Sequence, residues 1–295
     1  MRRPVMRGFI GLAVVAAIVS GAEQREALAG AQMYWTDLGI DKIQRVNLDG
    51  TGLEDVVTTG LIAPRGIALD VTRGKMYWMD SGTLKIRRAN LDGANMEDLV
   101  TTGLSAPGAI TLDVAGGKMY WTDSATDKIQ RANLDGTGVE DLITTGLSAP
   151  WGIALDVAGG RMYWTDAGTG KVQRAKLDGT GVQDLVTNGL THPGEIALDV
   201  AGGKMYWTDS ATGRIQRANL DGTGVQDLVS TGLKIPWGIA LDAAGGKMYW
   251  TDAGSSKIQR ANLDGTGVED LIITYSSGPM GGGGQRYGIA LATAR

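Results

Sequence analysis

The 295-residue chain contains no cysteine and a single histidine, His192. Disulfides and thiolate metal sites are therefore excluded, and so is any centre built on two or more histidines. Beyond the amino-terminal region no stretch keeps a 3.6-residue apolar period over three turns, so amphipathic helices are not expected. An excess of positive charge is also missing. The formal net charge is −4, which argues against a nucleic-acid partner, since such partners call for a basic face. Apolar residues make up 43% and charged residues 20% of the chain, enough apolar surface for a packed core.

The first 22 residues differ from the rest. Arg2, Arg3 and Arg7 precede an almost wholly apolar segment from Phe9 to Val19, and Ser20-Gly21-Ala22 offers small residues suited to cleavage. This pattern predicts a secretory signal peptide over 1–22, with Ala27-Leu28-Ala29 as a second cleavage point. The run from Gly8 to Ala22 has 15 residues, short of the ~20 that a spanning helix requires, so no membrane span is expected after cleavage. Removal of three arginines would bring the formal charge from −4 to −7. The expected location is secreted, extracellular or periplasmic. A packed repeat array of this size does not depend on disulfides as small secreted domains do.

The remaining chain, 30–295, reads as a single repeat domain. Tyr34-Trp35-Thr36-Asp37 returns as YWMD at Tyr77 and as YWTD at Tyr120, Tyr163, Tyr206 and Tyr249, always after 43 residues. Each unit holds four short runs, labelled A to D and typified by GIALD (A), MYWTD (B), KIQRA (C) and EDLIT (D). They are bounded by glycine, aspartate and proline, as strands are. Four strands in ~43 residues is the period of a β-propeller blade. The expected fold is all-β: a six-bladed β-propeller of four-stranded antiparallel blades. The array begins on the second strand of a unit and ends on a spare first strand, YGIALATAR. The carboxy-terminal strand is therefore expected to complete the amino-terminal blade and close the ring, which removes exposed edges.

The six tetrads, the K-I-x-R that follows them, the L-D-G turn and the P-x-x-I-x-L-D segment resemble the low-density lipoprotein receptor class B, or YWTD, repeat across residues 33 to about 291. The resemblance implies a six-bladed extracellular ligand-binding module rather than an enzyme. Receptor versions continue into a cysteine-rich growth-factor-like module, and this chain has no cysteine. The expectation is a free-standing, secreted, bacterial-type propeller, monomeric, with a protein or peptide ligand.

The six tetrad tryptophans are expected to pack between blades, and the tetrad aspartates to bond the amides of the following turn. The strand-C arginines (Arg45 and its equivalents) are expected to pair with a carboxylate of their own or the next blade. The ring Asp70, Asp113, Asp156, Asp199 and Asp242 opens D-x-x-x-G turns and reads as turn caps rather than calcium ligands. The glycine-rich tract 278–284 lacks the context of a phosphate loop and reads as a flexible connection.

Function is then sought where the copies differ. The B–C and D–A connections vary, and antiparallel order places both on one side of the disk. Variable loops on a rigid frame are where binding is normally found. The candidate ligand-binding residues are Arg65, Trp151, His192, Glu195, Trp237, Arg286 and Tyr287. Trp151 and Trp237 are expected to be exposed, so that truncating them costs little stability. Exposed aromatics beside arginine are common interface anchors.

Catalysis is the alternative. A hydrolase similar to calcium-dependent lactonase propellers needs three or four carboxylates or amides converging in the channel. If strand A lines the channel with one parity of its side chains, Glu195 is the one carboxylate supplied. A lyase similar to the streptogramin-cleaving propellers would need a histidine, for which His192 is the candidate. No catalytic residue, cofactor or metal is assigned. A structural or adhesive envelope role is a third possibility.

Overall fold

The computed structural model describes residues 30–273 and 286–293. The expected signal segment and the glycine-rich tract lie outside the described residues. The rest forms six four-stranded antiparallel sheets, with no helix among the described residues. Blade 1 contains β1 (Gln32–Asp37), β2 (Lys42–Asn47) and β3 (Glu54–Val57). Blade 2 follows with β4 (Pro64–Asp70), β5 (Lys75–Asp80), β6 (Lys85–Asn90) and β7 (Glu97–Val100). Blade 3 is β8 (Pro107–Asp113), β9 (Lys118–Asp123), β10 (Lys128–Asn133) and β11 (Glu140–Ile143). Blade 4 is β12 (Pro150–Asp156), β13 (Arg161–Asp166), β14 (Lys171–Lys176) and β15 (Gln183–Val186). Blade 5 is β16 (Pro193–Asp199), β17 (Lys204–Asp209), β18 (Arg214–Asn219) and β19 (Gln226–Val229). Blade 6 is β20 (Pro236–Asp242), β21 (Lys247–Asp252), β22 (Lys257–Asn262) and β23 (Glu269–Ile273). The last strand, β24 (Arg286–Ala292), pairs with β1 as the inner strand of blade 1 and closes the ring.

Six apolar layers, one between each pair of adjacent blades, form the core. Between blades 1 and 2, Ile67, Met76 and Trp78 pack on Tyr34, Ile43 and Val57. Between blades 6 and 1, Met33, Trp35 and Ile289 pack on Tyr249, Ile258 and Ile272, so the closure layer repeats the pattern of the others. All six tetrad tryptophans are fully buried. In four blades the indole Nε1 donates to a glutamine directly across the ladder, as from Trp121 to Gln130 at 3.0 Å. Blade 2 departs from this. Arg87, which has no acceptor to offer, stands opposite Trp78, and the Trp78 Nε1 is buried without a hydrogen bond.

The strand-C arginines do two jobs. Arg88 donates to Glu97 in its own blade and to the Leu134 carbonyl of the next. The same reach to a neighbouring carbonyl recurs in every blade, and Arg260 makes it across the closure, to the Leu48 carbonyl at 2.8 Å. The partner in the next blade is thus a backbone carbonyl, not a carboxylate.

Inner-strand side chains do not simply alternate between lumen and core. Ile67 and Leu69 pack towards blade 1, whereas Ala68 packs towards blade 3. Blades stack face to face, so both sides of an inner strand meet a neighbour. The channel is left with the free strand edge and small residues.

Candidate functional site

Each inner strand opens with a bulge. In β12, Pro150 pairs with Asp166 and Ile153 with Trp164, which leaves Trp151 and Gly152 outside the regular ladder. The same irregularity falls at Arg65-Gly66, Gly194-Glu195, Trp237-Gly238 and Tyr287-Gly288. Bulges bend a strand and redirect side chains. The positions that vary from blade to blade therefore sit where the backbone leaves the ladder, at the mouth of the channel.

The invariant residues hold these bulges in place. The tetrad threonine Oγ1 accepts from the bulged amide of its own blade, as from Gly152 to Thr165 at 2.8 Å. The same hydroxyl donates to the carbonyl of the variable residue in the next blade. Thr36 reaches the Arg65 carbonyl at 2.6 Å, Thr251 the Tyr287 carbonyl at 3.0 Å, and Thr122 and Thr208 the carbonyls of Trp151 and Trp237. Blade 2 has Met79 in this place. The tetrad aspartate bonds the B–C turn, as the sequence suggested, and also clamps the D–A connection. Asp123 accepts from the Thr126 amide at 3.1 Å and from the Ser105 amide at 2.7 Å. One invariant carboxylate thus fixes both variable loops.

Four of the candidate side chains meet. The Arg65 guanidinium lies 5.0 Å from the Trp151 ring and 5.2 Å from the Tyr287 ring. Trp151 meets Trp237 edge-on at 5.0 Å, and Trp237 meets Tyr287 at 5.1 Å. These contacts close a circuit across the mouth. Two of them skip a blade, because the intervening positions are Gly108 and Gly194 and leave room. The expectation of exposed indoles is corrected: Trp151, Trp237 and Tyr287 are half-buried against one another. Arg65 is also half-buried, its Nε donating to Ser81 Oγ at 3.0 Å, and desolvation lowers its pKa. Cation–π contact in such a place contributes about 0.5–2 kcal/mol.

His192 is exposed beside this circuit, 6.0 Å from the Trp237 ring. Arg286 is described through its backbone, as the first residue of β24. Glu195 stands apart: its side chain lines the central channel, a space of about 280 Å³ walled by isoleucine, alanine, leucine and Thr111. It is half-buried and faces only this lumen, where desolvation pushes its carboxyl up to about 8.

Among the described residues no group of three or more histidine, aspartate or glutamate side chains could hold a metal ion. The inner-strand aspartates cap their own turns, as Asp113 does by accepting from the Gly116 amide at 2.7 Å. The donor set that a lactonase-type metal requires is not assembled in the described channel, where Glu195 is the one carboxylate.

Fold and mouth together define a YWTD-type six-bladed propeller whose interblade frame repeats with departures in blade 2 and whose variable face carries an arginine–aromatic cluster. The virginiamycin B lyase family model matches residues 20–245, well over half of the chain, and the chain belongs to that family. The low-density lipoprotein receptor repeat class B model matches residues 246–274. Low-density lipoprotein receptor-related protein 4 of Homo sapiens, and likewise that of Mus musculus, is 44% identical over 43 residues, 15% of this chain. The chain spans only 2% of the length of these relatives. A chain in the crystal structure of a nidogen/laminin complex superposes with a TM-score of 0.80 at 27% identity, covering 89% of this chain and 98% of its own length.

Proposed function

We propose that this propeller is a secreted, monomeric protein-interaction module that binds a protein or peptide through its variable loop face, and that it is not an enzyme. The observation that carries this reading is the convergence of Arg65, Trp151, Trp237 and Tyr287 into one cluster on that face. Every other position in the cluster's frame is common to most blades, so the unevenness is concentrated at one spot. A structural neighbour taken from a nidogen/laminin complex supports a protein partner. In the test, immobilised propeller is presented with the proteins of the native secretome, alongside a Trp151→Ala/Trp237→Ala variant and Arg65→Gln. A partner held by the parent and lost by variants that keep the parent's circular dichroism supports the reading. Equal retention by both folded variants refutes it.

Membership of the virginiamycin B lyase family favours a second reading, lyase activity on virginiamycin B. Such a reaction needs a proton acceptor, and His192 is exposed on the same face. Incubation with virginiamycin B, followed by mass spectrometry of parent and His192→Ala, decides it. Turnover by the parent that is lost in the variant establishes a lyase, and an unchanged substrate removes that reading.

A further inference from the structure

We propose that the central channel is a second binding site, for an organic cation of the primary ammonium class, held by the Glu195 carboxylate and entered from the A–B turn face.

Glu195 is the main break in the inner ring. The equivalent residues are Gly66, Ala109, Gly152, Gly238 and Gly288. The frame therefore does not require a carboxyl there. None of the described residues hydrogen-bonds or pairs with it, and it is the one titratable group lining the described channel. Burying an uncompensated carboxyl costs free energy, and a perturbed acid with no structural partner in a cavity marks a functional candidate. The channel, at about 280 Å³, exceeds the ~150 Å³ apolar cavity that accommodates a benzene-sized molecule. One carboxylate among apolar channel walls suits a ligand with a single positive head and a short aliphatic stem.

The route follows from what crosses each end. At the loop end the mouth is crossed by the Arg65–Trp151–Trp237–Tyr287 circuit, whose guanidinium repels cations. At the other end Asp70, Asp113, Asp156, Asp199 and Asp242 terminate the inner strands, each opposite Lys75, Lys118, Arg161, Lys204 or Lys247 across the ladder, so charges there are balanced and do not repel a cation as Arg65 does. Leu69 walls both the channel and a cleft on that face.

Binding is coupled to a proton. The free carboxyl is protonated below about pH 8. An ammonium beside it favours the carboxylate, so carboxyl and ammonium become an ion pair and one proton leaves to solvent. Other titratable groups lie on the packed elements but do not line the channel. Within blade 5, β17 carries Lys204, Tyr206 and Asp209, while His192 and Asp199 bracket Glu195 along the chain. In blade 4, β13 carries Arg161, Tyr163 and Asp166, and β12 ends in Asp156, as β20 ends in Asp242. Below pH 8 affinity should rise about tenfold per pH unit, as the ionised fraction does, and level off above it.

The test is calorimetric titration of the full protein with n-butylamine, with acetyl-Gly-Lys-Gly-amide and with n-butanol, from pH 6 to 9. Parent protein is compared with Glu195→Gln and with Glu195→Gly, which restores the residue of most blades. The expected result is amine binding with proton release and the stated pH slope, no binding of n-butanol, and loss of amine binding in both variants at unchanged circular dichroism. Binding of n-butylamine alone identifies a free amine as ligand. Binding of the peptide identifies a lysine side chain. Failure of both amines, equal binding by the variants, or a flat pH profile overturns the proposal. Neither Glu195 variant alters the loop-face circuit, so such a failure leaves the protein-interaction reading standing.

Discussion

Replacing Glu195 by glutamine should stabilise the protein in a way that depends on pH. Burial raises the carboxyl from its ordinary 4.5 to about 8. At 1.36 kcal/mol per pKa unit this is at most about 5 kcal/mol. The side chain is half-buried and faces the lumen, so about 2–3 kcal/mol is the realistic share after discounting for water in the channel. The sign follows from proton counting. Between pH 4.5 and 8 the unfolded chain has released the proton while the folded chain keeps it, so the folded state binds more protons and stability falls as pH rises. The parent should therefore match Glu195→Gln near pH 4.5 and fall behind it progressively up to pH 8, with a constant gap beyond. All other ionisable groups are common to both proteins and cancel. Urea unfolding followed by tryptophan fluorescence at pH 4.5, 6, 7.5 and 9 measures the difference. A gap independent of pH would show that the Glu195 carboxyl is solvated like any surface acid and that the channel does not desolvate it.

Trp121→Ala should cost about 3–5 kcal/mol, since the indole is fully buried and large-to-small core changes carry a cavity penalty; Trp151→Ala, at a half-buried ring of the mouth, should cost about 1–2 kcal/mol, and equal melting temperatures for the two variants would contradict the division into frame and face. Thr165→Val strands the Gly152 amide and the Gly194 carbonyl, a loss of about 1–3 kcal/mol that chemical denaturation should register, and a neutral result would remove the hydroxyl from the interblade frame. Deleting residues 286–295 removes β24, with Ile289 from the closure layer, and should abolish cooperative unfolding; a truncated protein that melts like the parent would show that β1 does not need this partner. Arg87→Gln should leave stability within about 1 kcal/mol of the parent, because it supplies Trp78 with the acceptor that other blades provide, and calorimetry showing a loss of several kcal/mol would assign Arg87 a larger part in blade 2.

Much of the architecture was written in the period. A 43-residue step with four bounded apolar runs is local information, and local propensity decides strands and turns. Counting the runs established six blades, and the phase offset between the two ends of the array predicted that β24 would join β1. The division into an invariant and a variable face also followed from counting, because strand direction alternates within each blade. The cross-ring geometry was not legible in this way. Arg65 and Trp151 stand two blades apart, and they meet only because the ring closes and Gly108 leaves a gap between them. The bulges, and the threonine hydroxyls that pin them, could not be read from alternation, since a bulge is the place where alternation fails. In sequence Glu195 was both a member of the loop face and the one carboxylate that the inner strands could offer the channel. The tertiary structure decided between the two, because a shift of one residue within a bulge sets whether a side chain joins the mouth or lines the channel, and that shift depends on how closely the neighbouring inner strands approach.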